Sequence, residues 1–161
     1  MKARGSWATK YIGDAIMAVW LHERAGEEQH EILGILRAYV ELSAVSASLA
    51  AEFSLPTFRI GAGINTGVAS IGNAGGGGVE DFTAMGDAVN AAFRIESATK
   101  ETATDVAIGR STCEWLQQSF QAERYFRSHR VHLKGYDGPT DVWGATLDAA
   151  QRFLADAGNR P

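Results

Sequence analysis

Apolar and polar positions alternate in some parts of the chain and recur at helical spacing in others, which predicts a mixed α and β protein. Two short alternating segments, 7–13 and 16–20, predict a pair of strands. Between them, Gly13-Asp14-Ala15 predicts a tight hairpin, because glycine permits unusual backbone angles and aspartate is common in turns. Residues 27–53 keep helical spacing and predict one long helix that stops before Pro56.

The region 58–73 has the strict alternation of strands. Residues 58–65 place Gly61 and Gly63 on one face, which indicates that another element packs close to that backbone. Residues 68–73 predict the hairpin-like or bulged partner of this strand. The four-glycine run 75–78 lacks the Lys-Ser/Thr ending of a phosphate loop and does not open a helix, so it predicts a flexible loop.

The central stretch 81–100, DFTAMGDAVNAAFRIESATK, predicts a short strand, a glycine turn and an amphipathic helix. Asn90 and Arg94 are four residues apart and project from the same side of that helix. Val89 and Phe93, on an adjoining stripe, predict the packed face, which leaves Asn90 and Arg94 at its edge to meet a ligand. Taken alone, the same pattern also fits a surface Asn and a surface Arg on an ordinary helix.

The rest of the chain continues the alternation of helices and strands without an internal repeat. We predict one domain, residues 1–147, followed by a C-terminal tail, residues 148–161. The downstream elements predicted are strands at 105–108, 125–134 and 142–147 and a helix at 111–120.

Composition restricts the class of protein. The chain has 161 residues, one cysteine, four histidines and a formal charge of −4, which suits a single globular domain. The mild acidity, without a basic stripe, argues against a nucleic-acid partner. No apolar run approaches membrane-spanning length and the start, MKARGSWATK, lacks the apolar centre of a signal peptide. A single Cys113, predicted to be a packed small residue, excludes an intrachain disulfide, so we predict a cytoplasmic protein without a membrane segment.

Four segments carry a resemblance to a known family: KYIGDAIMAVW at 10–20, RIGAGINTGVASIGNAG at 59–75, the stretch 81–100, and VHLKG at 131–135. In this order they resemble the catalytic domain of the class III nucleotidyl cyclases, the adenylate and guanylate cyclases. The resemblance covers most of residues 9–145, and the GD-x-x-MAV hairpin with the GDAVN-x-x-x-R helix is specific as a pair. It implies an α+β, ferredoxin-like fold with an antiparallel-rich sheet and helices on one face.

The resemblance also implies a reaction, the cyclisation of ATP to 3′,5′-cyclic AMP with release of pyrophosphate. The ribose 3′ oxygen attacks the α-phosphate in line, so positioning and electrostatic stabilisation carry most of the catalysis. Two divalent ions per site, Mg²⁺ or Mn²⁺, would activate the attacking oxygen and neutralise the leaving one. Asp14 matches the second of the family's two metal-binding aspartates.

Five further residues match binding or catalytic positions of the family. Lys10 and Thr83 match the pair that reads the base, and a lysine donor with a hydroxyl suits the N1 acceptor and the N6 donor of adenine. Asn90 matches the residue that orients the ribose, and Arg94 the one that stabilises the transition state. Lys134 matches the lysine on the β- and γ-phosphates, although alone it would be taken as a strand-end lysine before a glycine turn.

In the family the sites lie at a dimer interface, so the resemblance implies a homodimer, or a heterodimer with another cyclase domain, with ATP as the ligand. The family's first strand, which carries the first metal aspartate, and its first helices have no counterpart before Lys10. We therefore expect a fragment, lacking that strand and those helices, that is incompletely folded, swapped or short of two-metal activity. The alternative function is a non-catalytic cyclase homology fragment that acts as a nucleotide-binding or dimerisation module.

Overall fold

The computed structural model describes residues 1, 4–22, 28–75 and 81–158. Most of the predicted four-glycine loop, residues 76–78, lies outside the described residues. The strands and helices of the described parts are β1 Ala8–Ile12, β2 Ala15–Val19, α1 Glu28–Glu52, β3 Ala62–Ile64, β4 Ser70–Asn73, β5 Phe82–Met85, α2 Asp87–Thr102, β6 Val106–Ile108, α3 Arg110–Ser119, β7 Arg127–Val131, β8 Thr140–Ala145 and α4 Leu147–Gly158.

The described strands form one four-stranded sheet and two hairpins. The sheet has the order β3-β6-β8-β7, and the hairpins are β1-β2 and β4-β5. Only the β3–β6 pair among them is parallel, and the others are antiparallel. The predicted α+β class with antiparallel-rich pairing is therefore confirmed.

The predicted pairing of 58–65 with 68–73 is wrong. β3 is only three residues long and pairs in parallel with β6, while β4 pairs with β5. The reason lies in the connection, because a helix that crosses between two parallel strands packs on both of them. Helix α2 is that helix, and it sits directly on the backbone of β3.

The contact between α2 and β3 depends on glycine. A Cβ added to Gly63 would lie 2.2 Å from the carbonyl oxygen of Ala92 and 2.4 Å from the backbone nitrogen of Glu96. A Cβ on Gly61 would lie 2.7 Å from Oε1 of Glu96. The prediction that an element packs close to these glycines is confirmed, and that element is α2.

The predicted packed face of α2 is wrong, and the close approach to β3 is the reason. The buried residues of the helix are Ile95, Ala98 and Thr99, whereas Val89 and Phe93 are only half-buried. The helix therefore turns the backbone of Ala92 and Glu96 toward β3, and its buried side chains lie further along the helix than the predicted stripe.

The main core lies between the sheet and helices α1, α3 and α4. Phe153 of α4 is 2 % exposed and meets the rings of Phe120, Tyr125 and Phe126 edge-on, with centroids 5.5–5.8 Å apart. Helix α4 includes 148–158, the described part of the predicted tail, and its Ala150 and Phe153 side chains are buried in the core. The boundary drawn at residue 147 stays a prediction.

Helix α1 is long and apolar enough to cross a membrane, judged by length and composition alone. Such a test is weak support for a span, because a core helix meets the same criterion. In this fold α1 packs Ile32, Leu36 and Tyr39 into the core. The absence of a membrane segment stays a prediction.

Candidate active site

The hairpin β1-β2 carries Asp14 at its tip. Ile12 lies opposite Ala15, so the turn consists of Gly13 and Asp14, and Gly13 has the positive φ of 60° that a two-residue hairpin of this kind requires. The predicted tight hairpin is confirmed. Asp14 is exposed, and its position at a turn tip leaves both carboxylate oxygens open to a ligand.

Lys10, on β1 of the same hairpin, reaches to the start of β5. Its Nζ lies 2.6 Å from Oδ2 of Asp81, and both side chains are partly buried. The rings of Trp7 and Phe82 meet edge-on beside this pair, with centroids 5.9 Å apart. Two independent contacts therefore hold β1 against β5.

Asp81 is itself held by the end of β4. Oδ1 of Asn73 accepts hydrogen bonds from the backbone N–H of Asp81 at 2.8 Å and of Gly75 at 2.9 Å. The backbone N–H of Ala74 donates to the carbonyl of Asp81 at 2.8 Å. The backbone that carries the Asp81 carboxylate is thus anchored on both sides, and this carboxylate sets the position of the Lys10 ammonium.

Thr83 lies on β5, two residues after Asp81, which directly precedes that strand. Thr83 is 8 % exposed and stands opposite Gly72 of β4. The structure brings Lys10 to the strand that carries Thr83. Our sequence reasoning missed Asp81, although the alternation in DFT places it beside Thr83 and could have identified it.

Helix α2 begins immediately after β5. Gly86 adopts a φ of 145° between them, and its carbonyl accepts the backbone N–H of Asn90 at 3.1 Å, which closes the first turn. Asn90 is exposed, and Arg94 lies one turn later on the same side of the helix. The base-reading candidate Thr83 and the two helix candidates therefore lie on consecutive elements joined by a single glycine.

The loop between β7 and β8 approaches Arg94. The Cζ atom of Arg94 lies 4.8 Å from the ring centroid of Tyr136, and a Cβ on Gly135 would be 3.2 Å from Nη2 of Arg94. Lys134, next to Gly135, is exposed. The loop that carries Lys134 is thus in direct contact with the Arg94 side chain.

The structure brings candidate residues together at two places. Lys10 reaches the start of β5, the strand that carries Thr83, through its ion pair with Asp81. Arg94, one turn after Asn90 on α2, contacts the loop that carries Lys134. Across the described ranges, no hydrogen bond or salt bridge joins Asp14 to any of them.

The donor set for a metal is small. No group of three or more His, Cys, Asp or Glu side chains comes together in the part of the chain that the structure describes. An exposed carboxylate such as Asp14 fits Mg²⁺, which binds through one or two carboxylates and completes its shell with water and substrate phosphates. One carboxylate does not account for two ions.

Comparison with protein families gives one match over most of the chain. The family model described as adenylate and guanylate cyclase catalytic domain matches residues 2–144. That span includes β1 to β7, all but the last residue of β8, and all six candidate residues.

Named relatives agree with this match. The chain is 30 % identical over 141 residues to an adenylate cyclase of Anabaena cylindrica, covering 86 % of this chain and 28 % of that protein. It is 33 % identical over 140 residues to a terminal-differentiation-specific adenylate cyclase of Dictyostelium discoideum, covering 86 % of this chain and 6 % of that protein. The chain therefore spans less than a third of the length of either relative.

Solved structures share the fold. The guanylyl cyclase Cya2 superposes with a TM-score of 0.70 at 23 % identity, over 89 % of this chain and 71 % of that one. The adenylyl cyclase CyaB from P. aeruginosa superposes with a TM-score of 0.72 at 20 % identity, over 90 % of this chain and 74 % of that one. At these identities the likeness establishes the fold alone.

Proposed function

Because the chain belongs to the family of adenylate and guanylate cyclase catalytic domains, we propose that it converts ATP to 3′,5′-cyclic AMP and pyrophosphate. The observation that carries the choice of ATP is the reach of Lys10 to β5, where Thr83 lies. An ammonium donates hydrogen bonds, which suits the unprotonated N1 of adenine and opposes the protonated N1 of guanine. The two adenylate cyclase relatives support the same choice.

Helix α2 supplies the groups for the reacting end of the nucleotide. Asn90 can hold a ribose hydroxyl by its side-chain amide, which both donates and accepts. Arg94, one turn further, can neutralise the charge that develops on the α-phosphate during in-line attack by the 3′ oxygen. Lys134 can hold the β- and γ-phosphates, whose charge rises as pyrophosphate leaves.

Asp14 is the residue that would hold a divalent ion. Bound there with the triphosphate, Mg²⁺ or Mn²⁺ would screen phosphate charge and lower the pKa of the attacking hydroxyl. We propose two such ions per site by analogy with the family, and Asp14 accounts for one carboxylate of that set.

Among the described residues no hydrogen bond or salt bridge joins Asp14 to the other candidates, which favours a site shared between two chains. In a two-fold dimer, Asp14 of one protomer would face Lys10, Thr83, Asn90, Arg94 and Lys134 of its partner, and the symmetry would produce two equal sites. We therefore propose a homodimer, or a heterodimer with another cyclase domain.

A second candidate function is a non-catalytic module that binds nucleotide or pairs with another cyclase chain. The small donor set favours it, because no group of three or more His, Cys, Asp or Glu side chains comes together among the described residues. This module would bind ATP through Lys10 and Thr83 without forming product.

Turnover separates the two functions. The purified chain is offered ATP or GTP, each with Mg²⁺ or Mn²⁺, and the product is identified by mass. Cyclic AMP from ATP supports the enzyme, whereas ATP binding without product supports the module and contradicts the enzyme. Product from GTP alone contradicts the role of Lys10, and replacement of Lys10 by Glu should shift the preference toward GTP.

Arg94→Ala tests whether any product arises at this site. The contact of Arg94 strengthens in the transition state, so we expect kcat to fall about 100-fold or more with little change in ATP binding. Arg152→Ala is the matched control, since Arg152 lies on α4 and pairs with Asp148. Equal activity of the two variants would place the reaction elsewhere.

A further inference from the structure

The Arg94 side chain is held in place by an aromatic ring and a glycine backbone. Its Cζ atom lies 4.8 Å from the centroid of the Tyr136 ring. A Cβ on Gly135 would lie 3.2–3.6 Å from three atoms of the guanidinium, so this group rests against the backbone of that residue. Gly135 has a φ of 78°, which a residue with a side chain adopts only with strain.

No carboxylate takes part in this arrangement. Throughout residues 4–22, 28–75 and 81–158, no salt bridge involves Arg94, whereas five other arginines are paired with acidic residues. A carboxylate would occupy two of the guanidinium's N–H groups and cancel its charge. A ring fixes the plane of the guanidinium while its N–H groups, which point outward from the edge, stay available.

The loop that carries Tyr136 is ordered by its own hydrogen bond. The backbone N–H of Tyr136 donates to the carbonyl of Leu133 at 3.1 Å, which closes a turn around Lys134 and Gly135. Leu133 is 6 % exposed and packs in the second core cluster with Ile95 of α2. The ring is thus attached to the same core as the helix that carries Arg94.

We propose that Tyr136 is a positioning residue that orients the Arg94 guanidinium toward the phosphates of the bound nucleotide. The same contact joins the loop that carries Lys134 to the helix that carries Arg94, so the two positive charges are held in one place relative to each other. This inference rests on the proposed function, since it assigns Tyr136 a part in the same site. In this role Tyr136 makes no hydrogen bond to the substrate. The orientation of Arg94 therefore depends on the Tyr136 ring and not on its hydroxyl.

The test compares Tyr136→Phe, which keeps the ring, with Tyr136→Leu, which removes it. For Tyr136→Leu we expect kcat to fall about two- to fivefold while the KM for ATP stays within about twofold, which is the range for a cation–π contact at an exposed site. Tyr136→Phe should retain nearly full activity. Asp137→Ala, directly after this turn in the same loop, is the matched control and should behave as the wild type.

A double-mutant cycle distinguishes positioning from general damage to the loop. If Tyr136 acts through Arg94, Tyr136→Leu should have no further effect on kcat in an Arg94→Ala background. Additive losses would overturn the inference, as would a rise in kcat for Tyr136→Leu, which would mean that the ring restrains Arg94 in an unproductive position. Equal activity of all Tyr136 variants would overturn it while leaving the proposed function intact.

A readout without turnover separates failure of the inference from failure of the proposed function. The Nε–H signal of Arg94 in a ¹⁵N-labelled protein should carry an upfield ring-current shift that Tyr136→Leu abolishes and Tyr136→Phe keeps. Addition of ATP with Mg²⁺ should move this signal in the wild type and move it less in Tyr136→Leu. These signals test the inference even if the wild type forms no cyclic product. An Arg94 signal that does not change when ATP is added would overturn it.

Discussion

At the scale of single residues, the Lys10–Asp81 pair shows how a charged side chain can be prepared for base recognition. The ammonium has three donors, and Asp81 uses one of them at 2.6 Å. Two donors remain for a ligand, and the pair is anchored through the contacts of Asn73 with the Asp81 backbone.

Removal of the Asp81 carboxylate should weaken base recognition more than folding. We expect Asp81→Ala to raise the KM for ATP several-fold and reduce discrimination against GTP, because Lys10 then loses its fixed position. The melting temperature should change little, since partly exposed ion pairs contribute at most about 1 kcal/mol. The measurement is kcat/KM for both nucleotides, with Asp148→Ala on α4 as control. Unchanged discrimination would show that Lys10 does not depend on Asp81.

A second residue-scale prediction concerns the two buried groups that lose protons at high pH. Burial raises the pKa of the Cys113 thiol to about 11 and that of the Tyr39 hydroxyl to about 12. Because the unfolded chain releases these protons at lower pH, both groups stabilise the fold fully below their unfolded pKa. That stability is lost as pH rises toward the folded pKa.

We therefore expect the free energy of unfolding to fall between about pH 9 and 11, by at most about 1.4 kcal/mol per pH unit for the thiol. Urea unfolding at pH 7.5, 9, 10 and 11 measures this fall. Cys113→Ala should show a shallower decline than the wild type above pH 9. Parallel curves for the two proteins would contradict the assignment of the shift to Cys113.

At the scale of elements, the position of α2 depends on its contact with β3. The helix carries Asn90 and Arg94, and it rests on a strand whose Gly63 leaves no space for a Cβ. Any side chain there must push the helix outward, and the candidate catalytic groups would move with it.

Gly63→Ala tests this dependence. We expect the free energy of unfolding to fall by about 3 kcal/mol, as overpacking against backbone does, and kcat to fall in the protein that remains folded. Gly72→Ala on β4 is the matched control, because a Cβ there meets nothing within 4 Å. Similar stability of the two variants would mean that α2 and β3 adjust freely.

The elements themselves were largely predictable, and their partners were not. The hairpin at Gly13 and the helix after Gly86 depend on neighbouring residues, and glycine and periodicity mark them in the sequence. The pairing of β3 is with β6, more than forty residues away, and it depends on the helix between the two strands. Local alternation contains no information about that choice, so the adjacent β4 was preferred in error.

At the scale of the whole molecule, the question is whether two chains share each site. The six candidate residues were found in the sequence by resemblance, and the structure brings Lys10 to β5 and Arg94 to the Lys134 loop. Neither a single chain nor its sequence can supply the contact across a dimer, because that contact belongs to two molecules.

Complementation between inactive variants tests the shared site. Asp14→Ala and Arg94→Ala should each be nearly inactive, and an equal mixture that exchanges subunits should regain about a quarter of wild-type activity, since half of the dimers then contain one intact site. A mixture of Asn90→Ala and Arg94→Ala should regain nothing, because both residues lie on the same chain's side of the site. Recovery in the second mixture, or none in the first, would contradict the proposed arrangement.

The direct passage from β5 through Gly86 into α2 has a consequence for how this segment tolerates change. Thr83 on β5 and Asn90 and Arg94 on α2 are separated by a fixed number of residues, with Gly86 as the single residue between the two elements. An insertion of one residue after Gly86 would rotate Asn90 and Arg94 by about 100° around the helix axis and carry them about 1.5 Å along it. A deletion would do the same in the opposite sense. The length of this segment therefore cannot change without displacing Asn90 and Arg94 relative to Thr83.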